Sequence, residues 1–209
     1  MTTHEPREPE RSGDLFVPLP AIAEQTTRQL HDRLVREAQS RGLLDVAYRT
    51  VDSPVGPLLL AATARGLARV AYSCEDHDKV LERLARDLSP RILLAPARLD
   101  PAAKQIDEYF TGLRRGFDLR LDLSLARGFR RLVLTRLRAI DYGQTDSYAA
   151  VALAVGHPKA VRAVGSACAT NPVPVVVPCH RVVRSDGSLG EYVGGVAAKR
   201  ALLALEAAA

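Results

Sequence analysis

The sequence predicts an α/β N-terminal domain built on a small antiparallel sheet, followed by a mostly helical C-terminal domain that contains a helix-turn-helix. Three observations carry this. In VAYRTVDSPVGPLLLAATARGLARVAYS, two turn signals (Ser53-Pro54-Val55-Gly56-Pro57 and Ala64-Arg65-Gly66) separate three short β-rich runs, the pattern of an antiparallel meander. After Ser124 the apolar residues take up helical spacing. Two short helical runs then meet at Val155-Gly156-His157-Pro158, a junction suited to a helix-turn-helix.

In order along the chain, residues 1 to about 44 form an N-terminal extension, partly disordered, that opens on Pro, Glu, Arg and Ser. Within it AIAEQTTRQLHDRLVREAQSRG predicts a helix with Ile22, Leu30, Leu34 and Ala38 loosely periodic and Gly42 as its stop. The N-terminal domain is placed at residues 45–123 and the C-terminal domain at 124–209. Helices are expected at 77–88, from Val80, Leu81, Leu84 and Leu88, and at 101–112, from Ile106, Tyr109 and Phe110. FDLRLDL alternates with period two and predicts a further strand. FRRLVLTRLRAI puts Phe129, Leu132, Val133, Leu137 and Ile140 on one helical face. Thr145 or Asp146 can cap a helix through Val155, and Pro158 suits the first turn of another running to about Thr170. That second helix, KAVRAVGSACA, is made almost wholly of small residues, with Arg162 its one long exposed candidate.

Composition excludes several classes. The chain has 209 residues and 47% hydrophobic content, enough for a proper core. No apolar run approaches the ~20 residues of a membrane span, and MTTHEPREPERSGD lacks the apolar core of a signal peptide. Three scattered cysteines, Cys74, Cys168 and Cys179, make no disulfide framework, so a reducing cytoplasm is expected. Because the chain ends soon after Glu206, no second catalytic domain is expected. The net charge of +5 is unevenly spread: eight arginines lie between Arg114 and Arg138 against only Asp118 and Asp122. A solvated face explains such a cluster, and a polyanion partner does so more sharply.

The chemistry centres on VPCHRVVRSDG, where Cys179 stands between Pro178 and His180 after the run Val173-Pro174-Val175-Val176-Val177. A thiol is mostly protonated at neutral pH, so a nucleophilic cysteine needs a base. Neighbouring side chains seldom point at each other, and a bridging water can relay the proton from Cys179 to His180. A carboxylate would then orient the ring. The nearest downstream are Asp186, Glu191 and Glu206, of which Glu206 ends an apolar helix, AKRALLALE, and can be held inward by Leu202, Leu203 and Leu205. A lone Cys-His pair is more often structural, Cys74-Glu-Asp-His77 supplies too few ligands for zinc, Cys168 reads as a packing residue, and Tyr148 by default is a core or rim aromatic.

Taken together, Asn171-Pro172, Pro178-Cys179-His180-Arg181-Val182, Gly190, Tyr192, Gly194-Gly195 and Lys199…Glu206 resemble the signature of the O6-alkylguanine-DNA alkyltransferases, the methylated-DNA–protein-cysteine methyltransferases. The likeness extends upstream through Thr145-Asp146-Ser147-Tyr148, Arg162-Ala163-Val164-Gly165 and the Ser53-Pro54-Val55-Gly56 turn, covering roughly residues 46–206.

The resemblance implies irreversible transfer of an alkyl group from O6-alkylguanine, and from O4-alkylthymine, in DNA to Cys179, one event per molecule. His180 and Glu206 would draw off the thiol proton, and Asn171 would brace the active-site turn. A minor-groove helix-turn-helix would flip the nucleotide, with Ala160, Ala163 and Gly165 allowing close approach. Arg162 would fill the vacated space, and Tyr148 would turn the phosphate and donate towards the guanine N3. Backbone carbonyls of Cys179 and Val182 would read the exocyclic amine and the N–H of Val193 the guanine O6, with Tyr192 and Pro174 also lining the pocket. No cofactor, metal or membrane is expected. The expected partner is double-stranded DNA carrying alkylated guanine, the protein being a monomer in solution for which cooperative binding on DNA is compatible. At residue 191 the family commonly carries a small or neutral residue, whereas this chain has Glu191.

Rival readings leave features unused. A cysteine hydrolase or amidotransferase has no task for a helix-turn-helix, a non-catalytic lesion binder would lack the cysteine, and a plain transcription regulator leaves PCHRV unexplained.

Overall fold

The structure, a computed structural model, describes residues 24–208. The expectations for residues 1–23, including disorder and the Ile22 end of the first helix, lie outside the described residues. The chain forms two units, residues 1–34 and 35–209. Of the first, the opening part of α1 (Glu24–Ser40) is described, a polar helical stretch on which Leu30 and Leu34 are exposed. In the second unit α1 ends as the sequence predicts, with Gly42 in the left-handed conformation at φ 65°.

The meander is present. Strands β1 (Val46–Val51), β2 (Leu58–Thr63) and β3 (Gly66–Tyr72) pair antiparallel in sequence. A fourth strand that the sequence reading lacked, β4 (Ile92–Leu94), adds to β1 in parallel, giving the order β3-β2-β1-β4. β2 reads LLLAAT because both its faces are covered. Leu59 and Ala61 pack with Val46, Ala71 and the buried Val80 and Leu84 of α2 (His77–Asp87). Leu58, Leu60 and Ala62 face the main core, which runs through α3 (Asp100–Phe110) into the C-terminal helices.

FDLRLDL is not a strand. It is extended, but it pairs only through a single parallel bridge between Leu67 and Leu121. Gly66 lets the segment come close, since a β-carbon there would stand 2.2 Å from the Arg120 carbonyl oxygen, but further along β3 the Val70 N–H is taken by Pro172 O. That approach seats the segment against one residue and no ladder follows.

The C-terminal part holds α4 (Gly128–Leu137), β5 (Asp146–Ser147), α5 (Tyr148–Ala154), α6 (Val161–Ala169), β6 (Val182–Val183) and α7 (Gly195–Ala207). β5 and β6 pair in parallel. On α4 the buried residues are Val133, Leu134 and Leu137, while Leu132 is exposed, so the face differs from the expected one at these two positions. The cap of α5 is Ser147, whose Oγ accepts from the Ala150 N–H at 3.0 Å, rather than Thr145 or Asp146. Pro158 lies before α6, not in its first turn: the connection closes on itself through an Ala160 N–H to His157 O bond of 2.8 Å. α5 and α6 are two short helices at the position where the sequence predicts a helix-turn-helix.

Candidate active site

Residues 171–180 are all buried, yet they contain no helix or strand before the single turn at Cys179–Arg181. Such a segment must satisfy its polar groups in other ways, and Asn171 does this. Its Oδ1 accepts from the Val173 N–H at 3.0 Å, and its Nδ2 donates to Val177 O at 2.9 Å and to Cys179 Sγ at 3.1 Å. One side-chain amide thereby closes the proline-rich loop and touches the thiol. The loop stores backbone strain at Val175, a β-branched residue at φ 70°. Pro174 is buried within it, and Pro172 O accepts from Val70 N–H of β3 at 2.9 Å.

Cys179 is 1% exposed. Burial pushes its thiol up to about 11, against the opposing pull of the Asn171 hydrogen bond and the Lys199 charge. At neutral pH the sulfur therefore holds its proton until something takes it.

His180 is fully buried. Its Nε2 lies 2.8 Å from Glu206 Oε1. The same carboxylate receives the Tyr109 hydroxyl at 2.7 Å, Arg181 Nε at 2.9 Å, Arg181 Nη2 at 2.9 Å and the Gly143 N–H at 3.0 Å. Burial alone would raise this carboxyl, but the bonds from His180 and Arg181 overcome it and hold Glu206 at about 2. An ionised carboxylate only accepts, so His180 Nε2 must be the donor. Burial also lowers the His180 pKa and favours the neutral ring. Its Nδ1 then carries the lone pair, and this atom is buried without a hydrogen-bond partner among the described residues. The site thus holds a neutral ring with an unpartnered lone pair on the residue that follows a buried thiol.

α7 builds one wall. Lys199 and Glu206 are seven residues apart, which puts both on its buried stripe with Leu202. Lys199 Nζ donates to Val182 O at 2.6 Å and also to Leu189 O, tying β6 to the loop beyond it.

The remaining candidates fall into two groups. Tyr148, at the start of α5, is half-buried, and burial raises its phenol to about 12, so it remains a donor. Its hydroxyl packs on Gly190, where a β-carbon would come within 3.0 Å. Tyr192 is buried and Val193 half-buried. Arg162 and Ala163 are exposed on α6, with Ala160 and Gly165 half-exposed. A β-carbon at Gly165 would meet nothing within 4 Å, so the fold does not demand glycine there and the open backbone faces outward. Cys168 is a buried residue of α6. Glu191 is exposed and forms no ion pair among the described residues, with Arg184 or Lys199 included.

Sequence reasoning missed Tyr109, Arg181 and Tyr72. Arg181 was visible inside the PCHRV block, but its bidentate grip on Glu206 was not. Tyr109 lies 97 residues from Glu206, and no local pattern announces such a contact.

Known proteins resemble this chain in sequence and in structure. Residues 46–123 match the family profile described as 6-O-methylguanine DNA methyltransferase, ribonuclease-like domain, and residues 128–208 the one described as its DNA binding domain. A methylated-DNA–protein-cysteine methyltransferase of Mycobacterium tuberculosis is 39% identical over 161 residues, 77% of this chain and 92% of the relative. One from Methanosarcina barkeri is 36% identical over 160 residues, 76% of this chain and 96% of the relative. The crystal structure of Mycobacterium tuberculosis OGT in complex with DNA superimposes with a TM-score of 0.67 at 39% identity, covering 78% of this chain and 93% of that one.

Proposed function

The chain belongs to the 6-O-methylguanine DNA methyltransferase family, and from that premise we propose that it repairs DNA by moving the alkyl group of O6-alkylguanine onto Cys179. The observation that carries the reading is the unpartnered, buried Nδ1 of His180, the residue after the buried Cys179, with its ring fixed in one tautomer by an ionised Glu206.

In this reading α6 lies in the minor groove, and Arg162 takes the place of a nucleotide rotated out of the stack, because the alkyl carbon is unreachable inside it. Ala160, Ala163 and Gly165 keep the helix surface low enough for close approach. Tyr148 donates to the base, and the backbone carbonyls of Cys179 and Val182 receive the exocyclic amine. Val193 N–H meets O6. The Cys179 proton passes through water to His180 Nδ1, the sulfur attacks the alkyl carbon, and the carbon–oxygen bond breaks as the guanine leaves. Asn171 holds the sulfur in line. The product is a thioether, and no neighbouring group reverses it, so each molecule acts once. The same pocket chemistry extends to O4-alkylthymine. Three free cysteines suit a reducing cytoplasm, and no described helix is long and apolar enough to cross a membrane.

The test is incubation with a duplex containing one O6-methylguanine, followed by intact-protein mass measurement. A gain of one methylene, saturating at one equivalent of lesion, is expected. Sustained turnover of lesions, or hydrolysis of an ester or amide in place of transfer, would contradict the reading.

A further inference from the structure

The end of β3 and the turn after it grip residues 192–194, which the alkyl-transfer reading puts against the bound base. Tyr72 is 2% exposed. Its hydroxyl lies 3.0 Å from that of Tyr192, and the two rings meet edge to face with centroids 5.8 Å apart. Gly194 rests on the Tyr72 ring so closely that a β-carbon there would fall 2.7 Å from it. Cys74 Sγ donates to Val193 O at 3.6 Å. Glu75 stiffens the turn by accepting from the Tyr72 N–H at 3.0 Å and by pairing with Arg69. Tyr192 in turn sets its ring edge to face against His180, with centroids 6.4 Å apart.

Two phenols that share one hydrogen bond use one of their two hydrogens. Burial raises both pKa values, so both stay protonated. A buried hydroxyl hydrogen without an acceptor is unfavourable, so the second hydrogen needs a partner when the pocket fills.

We propose that Tyr72 is a positioning residue for alkyl transfer: it donates to the Tyr192 oxygen, leaves the Tyr192 hydrogen for the bound base, and seats Gly194 so that the Tyr192–Gly194 loop has one geometry. This rests on the alkyl-transfer reading. Tyr72 touches no reacting atom and acts through Tyr192.

Single-turnover rates with an O6-methylguanine duplex test it in four proteins: wild type, Tyr72→Phe, Tyr192→Phe and the double variant. Tyr72→Phe keeps the ring under Gly194 but takes the partner from the buried Tyr192 hydroxyl, so it should fold and melt somewhat below the wild type. Its maximal rate should fall about three- to tenfold, the worth of one hydrogen bond, with the half-saturating DNA concentration unchanged. The double variant should be no slower than Tyr192→Phe alone, because the two hydroxyls form one unit. Wild-type rates in Tyr72→Phe, even in a protein that melts earlier, would overturn the proposal. So would multiplicative losses in the double variant. An inert wild type would instead sink the alkyl-transfer reading itself, and the positioning role with it.

Discussion

His180 Nε2 and Glu206 Oε1 lie 2.8 Å apart with both side chains almost wholly buried. Because Glu206 is held at about 2, well below its ordinary 4.5, its charged form belongs to the folded state. Its stabilisation is complete above pH 4.5 and is lost as pH falls towards 2. His180 acts in the same direction: burial lowers its pKa from 6.5, so on acidification the unfolded chain takes up the proton first. Denaturant midpoints should therefore decline from about pH 6.5 downward. Glu206→Gln should be less stable at neutral pH by about 3–5 kcal/mol, since Arg181 is left buried without its counter-ion. Its acid limb should also be flatter. Parallel acid limbs in the two proteins would contradict this.

The second prediction concerns the pH dependence of transfer. With a thiol raised to about 11, a protein lacking the base must wait for solvent to ionise Cys179. His180→Gln should transfer slowly at neutral pH, and its rate should climb about tenfold per pH unit as the thiolate fraction grows. The wild type should be faster and much less steep near neutrality. Rate profiles of the same shape in both proteins would show that His180 does not take the proton.

Much of this site was legible in the sequence, and what was not has a physical reason. Pairing Glu206 with His180 followed from an apolar helix that ends on a carboxylate. The two short helices α5 and α6 followed from the junction Val155-Gly156-His157-Pro158 between them. β4 was missed because three residues carry no period, and its partner β1 stands more than forty residues earlier. FDLRLDL showed a strand's alternation, but strands are made by partners, and Gly66 brings only Leu67 against it. Tyr72 and Tyr109 reach the site from β3 and α3 through tertiary packing alone.

Arg162 is exposed at the start of α6, whose other outward residues are small. Arg162→Ala should slow repair of duplex DNA far more than reaction with the free base O6-methylguanine, which needs no extrusion. Equal losses on both substrates would assign Arg162 to the fold or to the thiol.

Glu191 is exposed in a shallow surface depression that also includes Arg184 and Arg200. A carboxylate there opposes phosphates, and salt screens that opposition. Glu191→Gly should bind duplex DNA more tightly at low salt, with a gain that shrinks as salt rises. Affinity should still fall with salt in both proteins as counterions are released less favourably. Superimposable titrations across the salt series would mean that Glu191 does not face DNA.

The claim on which the rest depends is that one sulfur, Cys179, takes the alkyl group, and peptide mapping after reaction with an O6-methylguanine duplex tests it most directly. The wild type should carry a single added methylene on the peptide containing Cys179 and none on those containing Cys74 or Cys168. Cys179→Ala should bind the duplex yet leave every lesion intact. A methylated Cys74 or Cys168, or lesion repair by Cys179→Ala, would contradict the account.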